Sequence, residues 1–99
     1  MSEREDFVLT NDARVASIAL AGKEASPWHY HNHVLERVVC VSGSIEVQCS
    51  GLGSSQVLMP GEIALIESGR KHRLVNLLSY SSTYLLVQSG EYDFVPVNS

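Results

Sequence analysis

Along this chain apolar residues recur at every second position in short runs, and clusters of polar residues, glycine or proline separate the runs. The run "ARVASIALA" at 13–21 alternates in this way, and "GKEASP" at 22–27 follows it with turn chemistry. The stretch "ERVVCVSGSIEVQCS" at 36–50 is rich in β-branched residues and breaks at Ser42-Gly43, where a tight hairpin or a bulge fits. After the turn "SGLGSS" at 50–55 come "QVLM", a Pro60-Gly61 turn, "EIALIE", the turn "SGRK", "HRLVNLL", "STYLLVQS" and "YDFVPV". Strand side chains point alternately to opposite faces, so each run can bury one face and leave the other to solvent or a partner. Short strands at near-even spacing predict an all-β sandwich or barrel with almost nothing helical. No linker, repeat or low-complexity stretch interrupts the pattern, so residues 1–99 read as a single domain, with 1–12 as an N-terminal segment.

Composition narrows the partners. Eleven acidic against seven basic residues give a net charge of −4, which lacks the broad positive field that a phosphate backbone demands, so nucleic acid is excluded. The opening "MSEREDFV" is charged where a secretory signal would be apolar. No run approaches the roughly 20 apolar residues that cross a bilayer, and the expectation is a soluble cytoplasmic protein with no membrane partner. Cys40 and Cys49 lie in apolar strand-like segments and match no zinc-ribbon or C-x-x-C spacing. They read as reduced core thiols.

The chemistry concentrates in "WHYHNHVLERVVCVSG" at 28–43. His29, His31 and His33 alternate, so an extended backbone would project them from one face. Glu36 falls on the opposite parity from His31, and a bend around Asn32 to Leu35 is needed to bring it back. From Glu36 onward, alternation puts Val38, Cys40 and Ser42 on its face and Arg37, Val39 and Val41 on the other. His72 lies 36 residues after Glu36 and opens another strand, which hairpins can return alongside the first. Three imidazole nitrogens and one carboxylate suit a borderline divalent ion such as zinc, nickel, iron, manganese or cobalt.

The spacing His29-x-His31, four residues, Glu36, six residues, Gly43 resembles the first motif of the cupin family, and "GEIALIESGRKHRLVN" resembles its second. Gly61, Gly69, His72 and Asn76 stand at the family spacing; Glu67 replaces the usual proline, and Gly22 sits one residue further from His29 than the pattern has it. The resemblance implies a small jelly-roll barrel, a double-stranded β-helix, with His29, His31, Glu36 and His72 converging on one divalent metal ion. A narrower similarity links "ERVVCVSGSIEV", "HRLVN" and "LLVQSGEYDFV" to the cupin domain of type II phosphomannose isomerases. Val34 stands where that family has an arginine, and this chain is too short to carry its nucleotidyltransferase domain.

These observations imply a metal-binding cupin that acts on or binds a small molecule, with isomerase or lyase chemistry on a sugar or sugar-phosphate-like compound slightly favoured. An iron-dependent dioxygenase and a non-catalytic binding module are the alternatives, because one fold hosts all three. His33 is a candidate for orienting a ligand from the rim. Arg70, Lys71 and Arg73 are candidates for attracting an anion, and Trp28, Tyr30, Tyr80 and Tyr84 are candidates for lining a pocket, with core packing or a dimer contact as the alternatives. Exposed apolar strand faces such as Val39 and Val41 point to a homodimer, as does the cupin resemblance.

Overall fold

The computed structural model describes residues 3–51 and 55–98, and among them every regular element is a β-strand. The strands are β1 Glu3–Leu9, β2 Ala13–Leu20, β3 His29–Tyr30, β4 Leu35–Ser42, β5 Ile45–Cys49, β6 Ser55–Leu58, β7 Ile63–Ile66, β8 His72–Asn76, β9 Ser82–Ser89 and β10 Val95–Pro96. They form two five-stranded sheets, ordered β1-β2-β9-β4-β7 and β10-β3-β8-β5-β6. The pairings within both sheets are antiparallel. Apart from the β1–β2 and β5–β6 hairpins, each connection carries the chain from one sheet to the other. This is the all-β jelly-roll arrangement that the strand spacing and the resemblance predict. No helix among the described residues is long and apolar enough to cross a membrane.

Alternation decides what the sheets enclose. On β4 the side chains of Glu36, Val38 and Cys40 are buried while Arg37 and Val41 are exposed, and on β9 Ser82, Tyr84, Leu86 and Gln88 are buried. The inward apolar side chains meet in one core that includes Ile18, Leu20, Val38, Ile45, Val47, Leu58, Ile66, Leu74 and Leu86. Burial of this kind of surface is the main force holding two sheets face to face. The opposite ends of the alternation leave Ile63, Leu65 and Val41 more than half exposed on the outer face of the first sheet.

Three local features differ from the sequence reading. Strands β4 and β5 do not form a hairpin, since they belong to different sheets, and Ser42-Gly43 is the corner between them. The bulge alternative is the one realised: the register of β4 against β9 shifts between Cys40 and Ser42. Gly43 has φ of 77°, and a Cβ there would lie 2.1 Å from Ser82 Oγ, so both conformation and space select glycine. The N-terminal segment contains strand β1, paired along β2; all of its residues are exposed, so no burial pattern marked it in the sequence. Of "YDFVPV", only Val95 and Pro96 are strand. The middle of the "SGLGSS" turn, 52–54, lies outside the described residues.

Asn76 ends β8 and is wholly buried. Its Nδ2 donates to the carbonyls of Leu20, Ala21 and Tyr80, and its Oδ1 accepts from the Leu78 amide and the Ser82 hydroxyl. One side chain thereby ties the end of β2 to the β8–β9 connection.

Candidate metal centre

Each member of the four-residue cluster is placed by a separate backbone cause. His29 on β3 and His72 on β8 face each other directly across the antiparallel pair. Glu36 projects inward from β4, opposite Gln88 of β9 and Ile66 of β7. His31 lies just past β3, and the chain bends at Asn32 and His33 before β4 begins at Leu35. That bend restores Glu36 to the side of His29 and His31, as the parity argument requires, and it turns the third histidine of the run out to solvent. The carbonyl of His31 also accepts from the Gly69 amide at 2.6 Å, and Gly69 reaches that position with φ of 79°.

The three buried histidines share one orientation. Nδ1 of His29 donates to the Pro27 carbonyl and Nδ1 of His72 to the Arg70 carbonyl, both at 2.8 Å, while Nδ1 of His31 donates to the Asp93 carbonyl. A carbonyl only accepts, so each Nδ1 carries the proton and each Nε2 is left to face inward. Glu36 meets two of those nitrogens, with Oε1 3.2 Å from His31 Nε2 and Oε2 3.3 Å from His72 Nε2. Neutral imidazoles would set lone pairs against a carboxylate, which is repulsive unless a proton or a cation lies between them. Gln88 Nε2 donates to Glu36 Oε1 at 2.9 Å.

All four residues are buried, and one ligand atom from each lies within 4.8 Å of the others. Donors around a common ion at about 2.1 Å stand at most about 4.2 Å apart, so small side-chain adjustments suffice. The donor set and its geometry therefore form a buried group that could hold a metal ion. Burial alone would raise the Glu36 carboxyl, but its contacts with the His31 and His72 imidazoles and the hydrogen bond from Gln88 hold it well below the usual carboxylate range. Desolvation lowers His29. Desolvation also opposes protonation of His31, yet the Glu36 carboxylate and the Asp93 carbonyl outweigh it and raise that imidazole.

The remaining sequence candidates are dispersed. His33, Arg70 and Lys71 are exposed outside the cluster. Arg73 donates from Nε to Gln48 Oε1 at 2.7 Å and lies over the Trp28 ring. Tyr30 is half-buried on β3, paired with Val95 of β10. Tyr80 is exposed, whereas Tyr84 lines a cavity of about 330 Å³ that reaches His29, His31 and Glu36. The rest of that wall is mostly apolar, with Ile18, Leu20, Leu74, Leu86 and Phe94. Cys40 and Cys49 are free thiols.

Sequence reasoning missed Gln88 and the segment 92–94. Phe94 stacks on His29 at 4.6 Å, Tyr92 lies beside His31, and the Asp93 carboxylate binds the Asn32 backbone and side-chain amides. Gln88 was open to detection, because it is, with Ser82, a polar residue at the inward parity of β9 shared by Tyr84 and Leu86.

Comparison with known proteins agrees with this architecture. A family model described as "Cupin domain" matches residues 17–87. Over 54 residues the chain is 41% identical to an L-ectoine synthase of Hahella chejuensis (strain KCTC 2396), a match spanning 54% of this chain and 39% of that enzyme. An uncharacterized conserved protein with a double-stranded β-helix domain from Klebsiella pneumoniae subsp. pneumoniae MGH 78578 superposes with a TM-score of 0.85 at 22% identity, covering 99% of this chain and 85% of its own. A sugar phosphate isomerase of the cupin superfamily from Silicibacter pomeroyi DSS-3 superposes with a TM-score of 0.73 at 22% identity, covering 87% of this chain and 59% of its own.

Proposed function

The chain belongs to the cupin family, and from that premise we propose that it holds one divalent transition-metal ion through His29, His31, Glu36 and His72 and binds or transforms a small molecule in the adjoining cavity. The observation that carries this reading is the convergence of three Nε2 atoms and a carboxylate at a buried point, with three of the four residues, His29, His31 and Glu36, lining the cavity. A divalent ion there supplies positive charge that polarises an oxygen of a bound molecule. Glu36 would offset part of that charge, the Nδ1 hydrogen bonds fix the imidazole rings, and the adjoining wall is mostly apolar. Sugar-phosphate chemistry has less support, because Arg70, Lys71 and Arg73 do not line the cavity and the arginine that does, Arg4, pairs with Asp6. The same apolar wall favours a second reading, iron-dependent oxygen chemistry.

Elemental analysis of untagged protein purified without added metal tests the proposal. Close to one ion per chain is expected, with loss of that ion in the joint His31→Ala and His72→Ala variant; unchanged metal in the variant refutes it. Iron would select the oxygen reading, and zinc, nickel, manganese or cobalt the isomerase, lyase or binding reading.

We further infer a homodimer built on the outer face of the first sheet, where Ile63, Leu65 and Val41 are exposed beside half-buried Val39, Leu85 and Val87. Leu65→Asp is expected to convert a dimer to a monomer in sedimentation, and a wild-type monomer at all concentrations refutes the inference. Free Cys40 and Cys49 favour a reducing, cytoplasmic setting.

A further inference from the structure

The cavity wall contains a polar group that the metal centre does not use. Tyr84 projects inward from β9 between Ile18 of β2 and Cys40 of β4, and only 3% of it is exposed. It lines the cavity, and its hydroxyl, which has no hydrogen-bond partner among the described residues, is not sealed off from that cavity: the buried side-chain atoms without a partner are Arg14 Nε and Gln88 Oε1. A hydroxyl that faces a cavity donates to whatever occupies it, water or a bound molecule. Phenylalanine would fill the same space without offering that donor.

The surroundings define what would satisfy it. Burial, and then the nearby Glu36 charge, push the phenol above its ordinary pKa against the opposing effect of Arg4, so it stays protonated and donates. Around it Ile18, Leu20, Leu74 and Leu86 form an apolar belt. Four residues along the same strand face, Gln88 Oε1 is buried and has no partner, its Nε2 being engaged with Glu36. Two charged side chains of the lining are already engaged: Arg4 pairs with Asp6, and the Glu24 carboxylate accepts from the Ala21 amide. The wall therefore calls for hydrogen bonding and apolar contact, not for an ion pair. A volume of about 330 Å³ is at the small end of ligand pockets.

We propose that the Tyr84 hydroxyl is a ligand-contacting hydrogen-bond donor, and that the ligand is a small aliphatic carbonyl compound with its oxygen at the metal end and its hydrocarbon body along the Ile18, Leu20, Leu74 and Leu86 belt. This rests on the reading of His29, His31, Glu36 and His72 as a metal centre. The probe is hexanohydroxamate, which carries a metal-binding carbonyl and a short chain, titrated calorimetrically into the metal-loaded full chain, with acetohydroxamate as the short control. The additional methylenes in the belt are expected to tighten binding roughly ten-fold or more. Tyr84→Phe is expected to weaken hexanohydroxamate about five-fold or more while leaving the melting temperature unchanged or higher. Equal binding by Tyr84→Phe with full metal content overturns this proposal alone, and so does a lowered melting temperature, which would show the hydroxyl to be structural. A protein that takes up no metal overturns the metal reading and this proposal together.

Discussion

Replacing Asn76 by alanine is expected to destabilise the barrel by about 3 kcal/mol. The side chain makes five hydrogen bonds, three from Nδ2 at 2.7 to 3.1 Å and two to Oδ1 at 2.8 and 3.0 Å. Each is worth about 0.5–1.5 kcal/mol net, so independent addition would give roughly 2.5–7.5 kcal/mol. The lower part of that range applies, because one donor pair is shared among three carbonyls and Tyr80 is exposed, which lets water reach part of the opened site. For a domain of this size, a loss of about 3 kcal/mol lowers the melting temperature by roughly 12–24 °C. Urea unfolding followed by Trp28 fluorescence measures it, with a shifted midpoint and an unchanged slope. Asn76→Asp should be worse than alanine, since a carboxylate would face the carbonyls of Leu20, Ala21 and Tyr80. Because Ser82 Oγ both donates to Asn76 Oδ1 and accepts from the Ser44 amide, the pair with Ser82→Ala should be non-additive. A loss below about 1 kcal/mol with unchanged slope would refute the reasoning, since it lies beneath what even two of the five bonds contribute.

Gln88→Ala removes the donor to Glu36 and should weaken metal binding about 10- to 100-fold in competition with a chelator; an unchanged affinity would show that Gln88 does not position the carboxylate. Acid should release the ion and lower stability together, measured by metal content and melting temperature from about pH 8 to about pH 4. Glu36, held low in the folded protein, contributes stability that is lost as pH falls, and His29, also lowered, behaves likewise below about 6.5. His31, raised when no ion is bound, contributes in the opposite sense, its stabilisation fading as pH rises. Metal content that stays flat down to about pH 4 would contradict proton competition for the imidazoles.

The parts of the fold legible in the sequence are those where burial alternates. Strands β4 and β9 alternate buried with less buried residues at period two, although polarity does not follow burial throughout, since Glu36, Ser82 and Gln88 face inward and Val41 lies outside. Strand β1 has no buried residue, so nothing in "EREDFVL" distinguished a paired edge strand from a tail. The Ser42-Gly43 corner was ambiguous for a different reason: a hairpin and a crossover both need a turn, and only the pairing partners of β4 and β5 separate them.

The same distinction governs the centre. His29, His31, Glu36 and His72 were legible because their residue types and spacing are chemical, and the parity conflict between His31 and Glu36 even located the bend that joins them. What orients them was not legible. The Pro27 and Arg70 carbonyls belong to the backbone and have no residue signature, and Asp93 reaches His31 across 62 positions through its carbonyl. Phe94, stacked on His29, occupies a segment whose alternation suggested only another strand. Gln88 is the instructive exception, because a polar residue at an inward position must find a partner inside the barrel. That requirement leads from the β9 pattern to Glu36, while Tyr84, at the same inward parity, presents its hydroxyl to the cavity, where the proposed ligand would accept from it.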